Sequence, residues 1–284
     1  VGSEMCIRDS GSAFLQNEWK NDHWGFLLGG RLDKHNLIDH IIFSPRANLR
    51  FNPTQNINLR LSYSSGFRAP QAFDEDMHIE NVGGTVAMIE RAKNLKEEKS
   101  QSFSVSADMY HRFGAFQTNL LIEGFYTRLT DVFVLGKPYD RGDGILVKTR
   151  SNGPGAKVMG LTLEGKVAYL SILQIQAGLT LQRSRYDEPH KWHDDAPAEK
   201  KIFRTPDTYG YFTATCTPVK PLSIALSGTY TGRMLVQRMD ITAENAELGE
   251  MPERKAEAIR TPRFFDLGVK LAYDFKLYKT VDLQ

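Results

Sequence analysis

The densest group of side chains that could bind a metal ion lies at residues 190–195, which read HKWHDD. Two histidines three positions apart, beside two carboxylates, form a donor set that suits iron or zinc. Lys191 lies inside the group and Lys200 follows it closely, and both would repel a cation. We therefore predict a solvated surface loop without a metal, and we keep His190 and His193 as candidate ligand-binding residues.

Catalytic motifs are missing from the rest of the sequence. There is no Ser/His/Asp arrangement, Gly-rich phosphate loop or Cys/His metal knuckle at a meaningful spacing. Cys6 and Cys216 are too few and too far apart to suggest a disulfide framework. The 36 basic side chains are balanced by 34 acidic ones, so nucleic-acid binding has no support. We predict that the chain is not an enzyme, needs no cofactor and binds no nucleic acid.

A second candidate site is the long polar segment between Ser65 and Lys99. Long structured connections usually bind or gate, and the stretch from Thr85 to Leu95 is predicted to form a short helix. One hypothesis is that part of this segment lines a substrate mouth. The alternative is that the same side chains only pack the loop onto its neighbours. The residues concerned are Phe73, Asp76, His78, Glu80 and Arg91.

Between these polar segments, apolar and polar residues alternate. Leu59 and Leu61 fall on one face of an extended chain, and Asn58 and Arg60 fall on the other. The same pattern returns at residues 173–182, 222–231 and 265–273. This period of two predicts antiparallel strands with one apolar face and one polar face.

The connections between the predicted strands alternate in length. Short turns fall near residues 21, 53, 114, 171, 220 and 278, and longer polar segments lie at 33–43, 65–99, 136–144, 186–203 and 238–260. Membrane barrels have short turns on one side and long loops on the other. We predict an all-β fold, an antiparallel up-and-down transmembrane β-barrel represented by a partial barrel of about 12 strands. The alternative is a water-soluble β-sandwich, whose loops need not sort by length.

The predicted alternation of long and short connections depends on one segment of the chain. The prediction requires residues 145–170 to form one long strand with a bulge at residues 151–155. A true turn at Gly153–Gly155 would invert every later connection.

The first ten residues differ from the rest of the chain. Residues 1–10 (VGSEMCIRDS) share neither period nor composition with the rest and resemble a translated sequencing-adapter peptide, so we expect an artefact there. Residues 11–284 are expected to form one barrel domain that is part of a longer protein. No stretch approaches the roughly 18 to 20 apolar residues of a membrane helix, whereas a barrel strand needs only about 9 to 11 alternating residues.

Four segments carry ordered motifs: Tyr63–Pro70 (YSSGFRAP), Asn94–Ser100 (NLKEEKS), Gly124–Asp131 (GFYTRLTD) and Ser151–Glu164. They resemble the segments Y-x-x-G-F-R-A-P, N-L-K-P-E-x-S, F-Y-x-x-I-x-D and N-x-G-x-A-x-x-x-G-V-E of TonB-dependent outer-membrane receptors, apart from the Pro-Glu pair of the second. Their order holds over nearly the whole chain, and residues 73–84 look most like members from Bacteroidetes. The motif residues are Gly66, Phe67, Arg68, Pro70, Asp131, Gly160 and Glu164.

The resemblance implies a barrel of 22 strands around an N-terminal plug in the outer membrane of a Gram-negative cell. Receptors of this kind import siderophores, cobalamin, haem or glycans, using force from the TonB–ExbB–ExbD energy complex. The implied partners are therefore outer-membrane lipid, the protein's own plug and that complex, and in glycan importers also a surface lipoprotein lid. For Arg68 we expect a loop-anchoring ion pair rather than a ligand contact.

Two other functions remain open at this stage. One is a passive outer-membrane porin or adhesin barrel, which would share the wall but lack a plug. The other is a soluble carbohydrate-binding β-protein, which would share only the alternation of the strands.

Overall fold

The computed structural model describes residues 10–70, 87–142, 146–192, 196–241, 254–278 and 281–283. Every regular element in these ranges is a β-strand. Within the same ranges the chain has no helix long and apolar enough to cross a membrane.

Nineteen strands are present in the described ranges. In chain order they are β1 (Ser10–Lys20), β2 (Trp24–His35), β3 (Ile42–Thr54), β4 (Ile57–Arg68), β5 (Ala87–Arg91), β6 (Glu98–Phe113), β7 (Phe116–Thr130), β8 (Phe133–Asp140), β9 (Leu146–Asn152), β10 (Ala156–Tyr169), β11 (Leu173–His190), β12 (Glu199–Lys201), β13 (Thr208–Val219), β14 (Leu222–Thr231), β15 (Leu235–Ile241), β16 (Arg254–Arg260), β17 (Phe264–Tyr273), β18 (Phe275–Tyr278) and β19 (Val281–Leu283).

The largest sheet has 12 strands, and its strands pair antiparallel in the order β1-β2-β3-β4-β6-β7-β10-β11-β13-β14-β17, with the short β12 beside β11. We call this sheet the wall. Smaller sheets are formed by β5-β9-β8, by β15 with β16 and by β18 with β19. The wall confirms the predicted all-β, antiparallel partial barrel of about 12 strands.

Connections of different length lie at the two ends of the wall. Short turns join β1 to β2, β3 to β4, β6 to β7, β10 to β11 and β13 to β14. We call their side the turn end, and the opposite side the loop end. The connections at the loop end are longer and carry the additional strands β5, β8, β9, β12, β15 and β16. At the turn end, Gly114 has a φ of 57° between Phe113 and Phe116, as a two-residue hairpin with glycine first requires.

The predicted helix at residues 85–95 is wrong for the part that the structure describes. Ala87–Arg91 is strand β5, which pairs in parallel with β9 over five residues. A helix of this length is marginal without tertiary support, whereas the edge of β9 supplies backbone hydrogen-bond partners along the whole segment.

The single strand predicted for residues 145–170 is also wrong. β9 ends at Asn152 and belongs to the β5-β9-β8 sheet, and β10 begins at Ala156 in the wall. Pro154 lies between them and has no N–H to donate to a ladder. The later connections nevertheless keep their sides, because both β8 and β9 lie within the connection from β7 to β10.

The strand register produces one apolar face and one polar face across the wall. One row of directly paired positions contains Phe26, Leu49, Leu61, Val105, Gly124, Leu161 and Leu181. The next row, on the other face, contains Gly25, Arg50, Arg60, Ser106, Glu123, Thr162 and Thr180. Side chains of the apolar face are exposed: Leu61 is 53% and Val105 59% exposed. We call the apolar face the outward face and the polar one the inward face.

Aromatic rings border the apolar face. Near the turn end, stacked or tilted pairs join Trp24 to Phe51 at 4.2 Å and Phe116 to Tyr169 at 4.7 Å between ring centroids. On β10 the outward run from Tyr169 to Met159 is about 33 Å long at about 3.3 Å per residue. With a strand tilt of about 40°, this run spans about 25 Å, which is the height of the apolar band of a membrane barrel.

We expect spin labels at Leu59 and Arg60 to report different surroundings in the membrane-embedded protein with Cys216 replaced by alanine. The label at residue 59 should collide with lipid-dissolved oxygen, because its strand position faces outward. The label at residue 60 should be shielded from lipid. Power-saturation EPR measures both, and an identical aqueous environment at the two positions would contradict the membrane orientation.

Candidate functional site

The loop end contains a folded unit built on the β5-β9-β8 sheet, which we call the platform. The side chain of Val147 on β9 is fully buried, and Phe133 at the start of β8 and Ala156 at the start of β10 are nearly so. The other buried apolar side chains in the described ranges belong to Ile38, Ile42, Pro70, Ala196, Leu235 and Ala256, and they too lie in or beside connections at the loop end. The packed core is therefore at this end, while the wall below has two open faces.

Arg68 fixes the base of the platform. Its guanidinium lies 2.9 Å from Oε2 of Glu98, and the same carboxylate oxygen accepts a hydrogen bond from the backbone N–H of Phe133 at 3.1 Å. The guanidinium also lies 4.8 Å from the centroid of the Phe133 ring, within the range of a cation–π contact. The ion pair expected for Arg68 is confirmed. It ties the end of β4 to the starts of β6 and β8.

Asn152 joins two distant segments. Its Oδ1 accepts a hydrogen bond from the N–H of Lys96 at 2.8 Å, and its Nδ2 donates to the carbonyl oxygens of Lys96 and Asp131 at 3.0 and 2.8 Å. Asp131 has a φ of 55°, a left-handed conformation that aspartate tolerates better than most residues. The neighbouring Gly153 is required because a Cβ there would lie 2.5 Å from Cγ1 of Val134.

Glu97 joins the connection between β2 and β3 to the start of β6. Its Oε1 lies 3.0 Å from Nε2 of His40 and 3.0 Å from Nζ of Lys99, and the side chain is only 4% exposed. Burial alone would raise the pKa of this carboxyl. The hydrogen bonds from its own backbone N–H and from Lys99, together with the charges of Lys99 and His40, outweigh burial and lower the pKa.

Two further motif residues lie on the inward face of the wall. The ring of Phe125 lies over Gly160, where a Cβ would come within 2.6 Å of both this ring and the carbonyl oxygen of Leu181. Glu164 accepts a hydrogen bond from the hydroxyl of Tyr211, which in turn accepts one from Nε2 of Gln176 at 2.6 Å. These residues pack and order the interior surface of the wall.

Of the predicted ligand-binding residues, the structure describes Arg91 and His190. Arg91 is exposed at the end of β5, opposite Arg150 on β9, and so belongs to the platform. His190 ends β11, beyond the apolar run of that strand, where burial lowers its pKa and its ring lies 5.7 Å from that of Tyr186. Outside the described residues lie Phe73, Asp76, His78, Glu80 and His193, together with the Bacteroidetes-like segment 73–84.

The remaining motif residues belong to the end of β4 or follow it closely. Gly66 pairs with Ser100 and Phe67 with Lys99, and Pro70 is buried just beyond the strand. Asn152 and Glu97 were not among the predicted site residues, although both stand in the motif segments. Within the described ranges, no group of three or more His, Cys, Asp or Glu side chains converges on a point where a metal could bind.

Comparison with known proteins agrees with this architecture. Residues 7–284 match the family model described as TonB dependent receptor-like, beta-barrel. No curated protein sequence matches the chain.

Solved structures with the same fold include the siderophore receptor PirA from Acinetobacter baumannii, with 14% identity and a TM-score of 0.67 over 95% of this chain and 40% of that one. The FrpB iron transporter from Neisseria meningitidis has 15% identity and a TM-score of 0.63 over 95% and 38%. A ferric enterobactin receptor mutant from Pseudomonas aeruginosa, in complex with enterobactin, has 15% identity and a TM-score of 0.65 over 97% and 39%. The chain thus spans about two fifths of these structures.

We expect Asn152→Ala to loosen the platform, because it removes three hydrogen bonds that join β9 to residues 96 and 131. At about 0.5 to 1.5 kcal/mol each, their loss lowers the local opening free energy by about 2 to 4 kcal/mol. Hydrogen exchange of residues 87–97 in the membrane-embedded protein measures this. Asn94→Ala, which changes an exposed amide in the same connection, is the matched control. Equal exchange in the two variants would contradict the role of Asn152.

We expect the attachment of the β2–β3 connection to weaken in acid. Because the pKa of Glu97 is lowered by folding, its stabilising contribution is complete above the unfolded value of about 4.5 and is lost as the pH falls through the folded value. A spin label at Leu37 should be immobile at about pH 7 and should become steadily more mobile as the pH falls below about 4.5. In Glu97→Gln the label should be mobile over the whole range, and an unchanged pH response in that variant would rule out Glu97 as the titrating group.

Proposed function

The chain belongs to the TonB-dependent receptor-like β-barrel family, and on that premise we propose that it contributes barrel wall and ligand-receiving loops to an importer of ferric siderophores. Proteins of this family are receptors and transporters in the outer membrane, so the wall lies in that membrane and the loop end faces the cell exterior. The family assignment favours import over the soluble carbohydrate-binding alternative.

The observation that carries the proposal is the platform itself. Loops that only joined strands would need neither a buried core nor side-chain anchors, and here Val147 and Phe133 are buried above the rim of the wall. Arg68, Glu98 and Asn152 attach this unit at its base, where β4, β6 and β7 leave the membrane. A preorganised surface loses less conformational entropy when a ligand binds.

The siderophore class is supported by the nature of the similar structures. PirA is named a siderophore receptor, FrpB an iron transporter and the Pseudomonas protein a ferric enterobactin receptor. Their identities of 14 to 15% establish the shared fold, and the ligand class is our proposal. The proposed ligand contacts are the candidate residues of the long connections, namely Phe73, Asp76, His78, Glu80, Arg91, His190 and His193. Among those that the structure describes, Arg91 is exposed at the end of β5.

The inward face of the wall is proposed to receive the plug domain of the intact receptor. Arg60, Glu123 and Glu164 on this face are polar or charged and form a surface suited to a hydrated protein partner rather than to lipid. Energy for import is proposed to come from the TonB–ExbB–ExbD complex acting through that plug.

We expect the intact receptor to support uptake of radioactive iron bound to enterobactin in a Gram-negative host that lacks its own siderophore receptors. Uptake should stop when TonB is deleted. Arg91→Ala should weaken ligand binding by about tenfold, as expected for the loss of one charge-assisted hydrogen bond. Lys93→Ala, which removes an exposed cation two residues away, is the matched control and should leave binding unchanged.

Each contrary outcome of this experiment has a distinct meaning. Entry of iron without TonB would favour the passive porin. Uptake of haem or cobalamin but of no ferric siderophore would leave the importer standing and overturn the ligand class. Equal binding by the two variants would remove Arg91 from the proposed contacts.

A further inference from the structure

Two arginines lie directly opposite each other on the inward face of the wall. Arg50 on β3 pairs with Arg60 on β4 in the antiparallel register, so their Cβ atoms are about 5 Å apart. The Arg50 side chain extends across β2, where a Cβ at Gly25 would lie 3.2 Å from its Nη2 and 3.3 Å from its Nε. The glycine therefore leaves room for this guanidinium to lie against the wall.

The same part of the inward face carries further cations. Lys20 on β1 pairs with Gly25 and so lies in one row with Arg50 and Arg60, and Arg46 is two inward positions above Arg50. Within the described ranges, none of these four cations forms an ion pair. The Nε of Arg50 is buried and has no hydrogen-bond partner among the same residues. Like charges placed directly opposite each other destabilise a sheet, so this arrangement requires a counter-charge.

The carboxylates on the neighbouring strands do not supply this charge. Asp108 on β6 already accepts hydrogen bonds from two neighbouring side chains. Glu123 on β7 lies in the row of Arg60, but β6 separates the two strands, which are therefore about 10 Å apart. Like Glu123, Glu18 on β1 forms no ion pair in the described part of the chain. The counter-charge of Arg50 and Arg60 must therefore come from outside these strands.

A cavity of about 210 Å³ opens over the two arginines. It is large enough for a carboxylate side chain together with several water molecules, each of which occupies about 30 Å³ in the liquid. On one side of the cavity, Nδ2 of Asn48 donates a hydrogen bond to Oγ of Ser62 at 2.7 Å, which fixes this part of the lining. The lining residues are Glu18, Gly25, Leu27, Asn48, Arg50 and Arg60.

The cavity lies near the turn end of the wall. Arg60 is three residues from Ile57 at the start of β4, or about 10 Å along the strand. It is eight residues, or about 26 Å, from Arg68 at the loop end. A ligand bound at the platform therefore does not touch these arginines, and the cavity is separate from the ligand-receiving loops.

We propose that Arg50 and Arg60 form a carboxylate-binding site on the inward face, next to the turn end. Guanidinium groups present paired N–H donors that match the two oxygens of a carboxylate, and one bound carboxylate removes the repulsion between the two cations. The carboxylate is supplied by an Asp or Glu side chain of the domain inside the barrel or by a free carboxylate ligand in the lumen. For the first source, the inference rests on the plug proposed above.

Cross-linking of the intact receptor with a water-soluble carbodiimide tests this proposal. The reagent joins an amine to a carboxylate without a spacer, so it links only groups that are in contact. Arg60→Lys introduces a reactive amine and keeps the positive charge, and Arg50→Lys repeats the test from the neighbouring strand. Lys166, an exposed cation on the inward face of β10, is the matched control within the same protein. Mass spectrometry identifies the linked peptides, and heat-modifiable gel migration checks that both variants fold.

We expect position 60 of the Arg60→Lys variant to link to an Asp or Glu outside the wall at least about tenfold more than Lys166 does. If a free ligand is the source, this link does not form, and added citrate couples to position 60 at least about tenfold faster than to Lys166. A link to a carboxylate of the wall, such as Glu18 or Asp108, would overturn the proposal, because the wall would then neutralise its own cations. Absence of both products in both variants would also overturn it. No ferric siderophore is needed for these measurements, so failure of iron uptake is distinguishable from failure of this site.

Discussion

Backbone hydrogen bonding in lipid is the constraint on which the rest of this structure depends. A strand that crosses a membrane must have its N–H and C=O groups satisfied by neighbouring strands, because no water reaches them there. The wall meets this requirement with continuous antiparallel ladders, such as the fourteen residue pairs between β10 and β11. Side chains on the outward face are then free to be apolar. The connections, which lie in water, are free to adopt other arrangements.

The features that could be predicted from the sequence are those set by neighbouring residues. Successive side chains of a strand point to opposite faces, so Leu59 and Arg60 lie on opposite faces of any sheet that this segment joins. Turn residues such as Gly114 mark where a hairpin closes. The order of long and short connections then followed from the positions of these turns. The wall was predicted correctly because its strands pair mostly with their neighbours in the chain.

The platform could not be predicted in the same way because its contacts are not local. β5 pairs in parallel with β9, and Asn152 bonds to Lys96, which is 56 residues away. Neither the period of the segment nor the type of its residues specifies such a partner. Arg68 was correctly expected to anchor a loop. Its contact with the ring of Phe133 depends on where β8 begins, and the alternating pattern does not show this.

The unequal connections at the two ends have a consequence for how the wall forms. A hairpin closed by Gly114 and its neighbour brings β6 and β7 together at little loop-closure cost, whereas pairing β7 with β10 first requires a chain of 25 residues to close. Local pairs form sooner than distant ones in folding reactions. The wall is therefore expected to assemble from preformed hairpins, with the seams between hairpins closing last. Deletions that shorten the long connections would accelerate the pairing between hairpins, while changes in the short turns would delay the formation of the hairpins themselves.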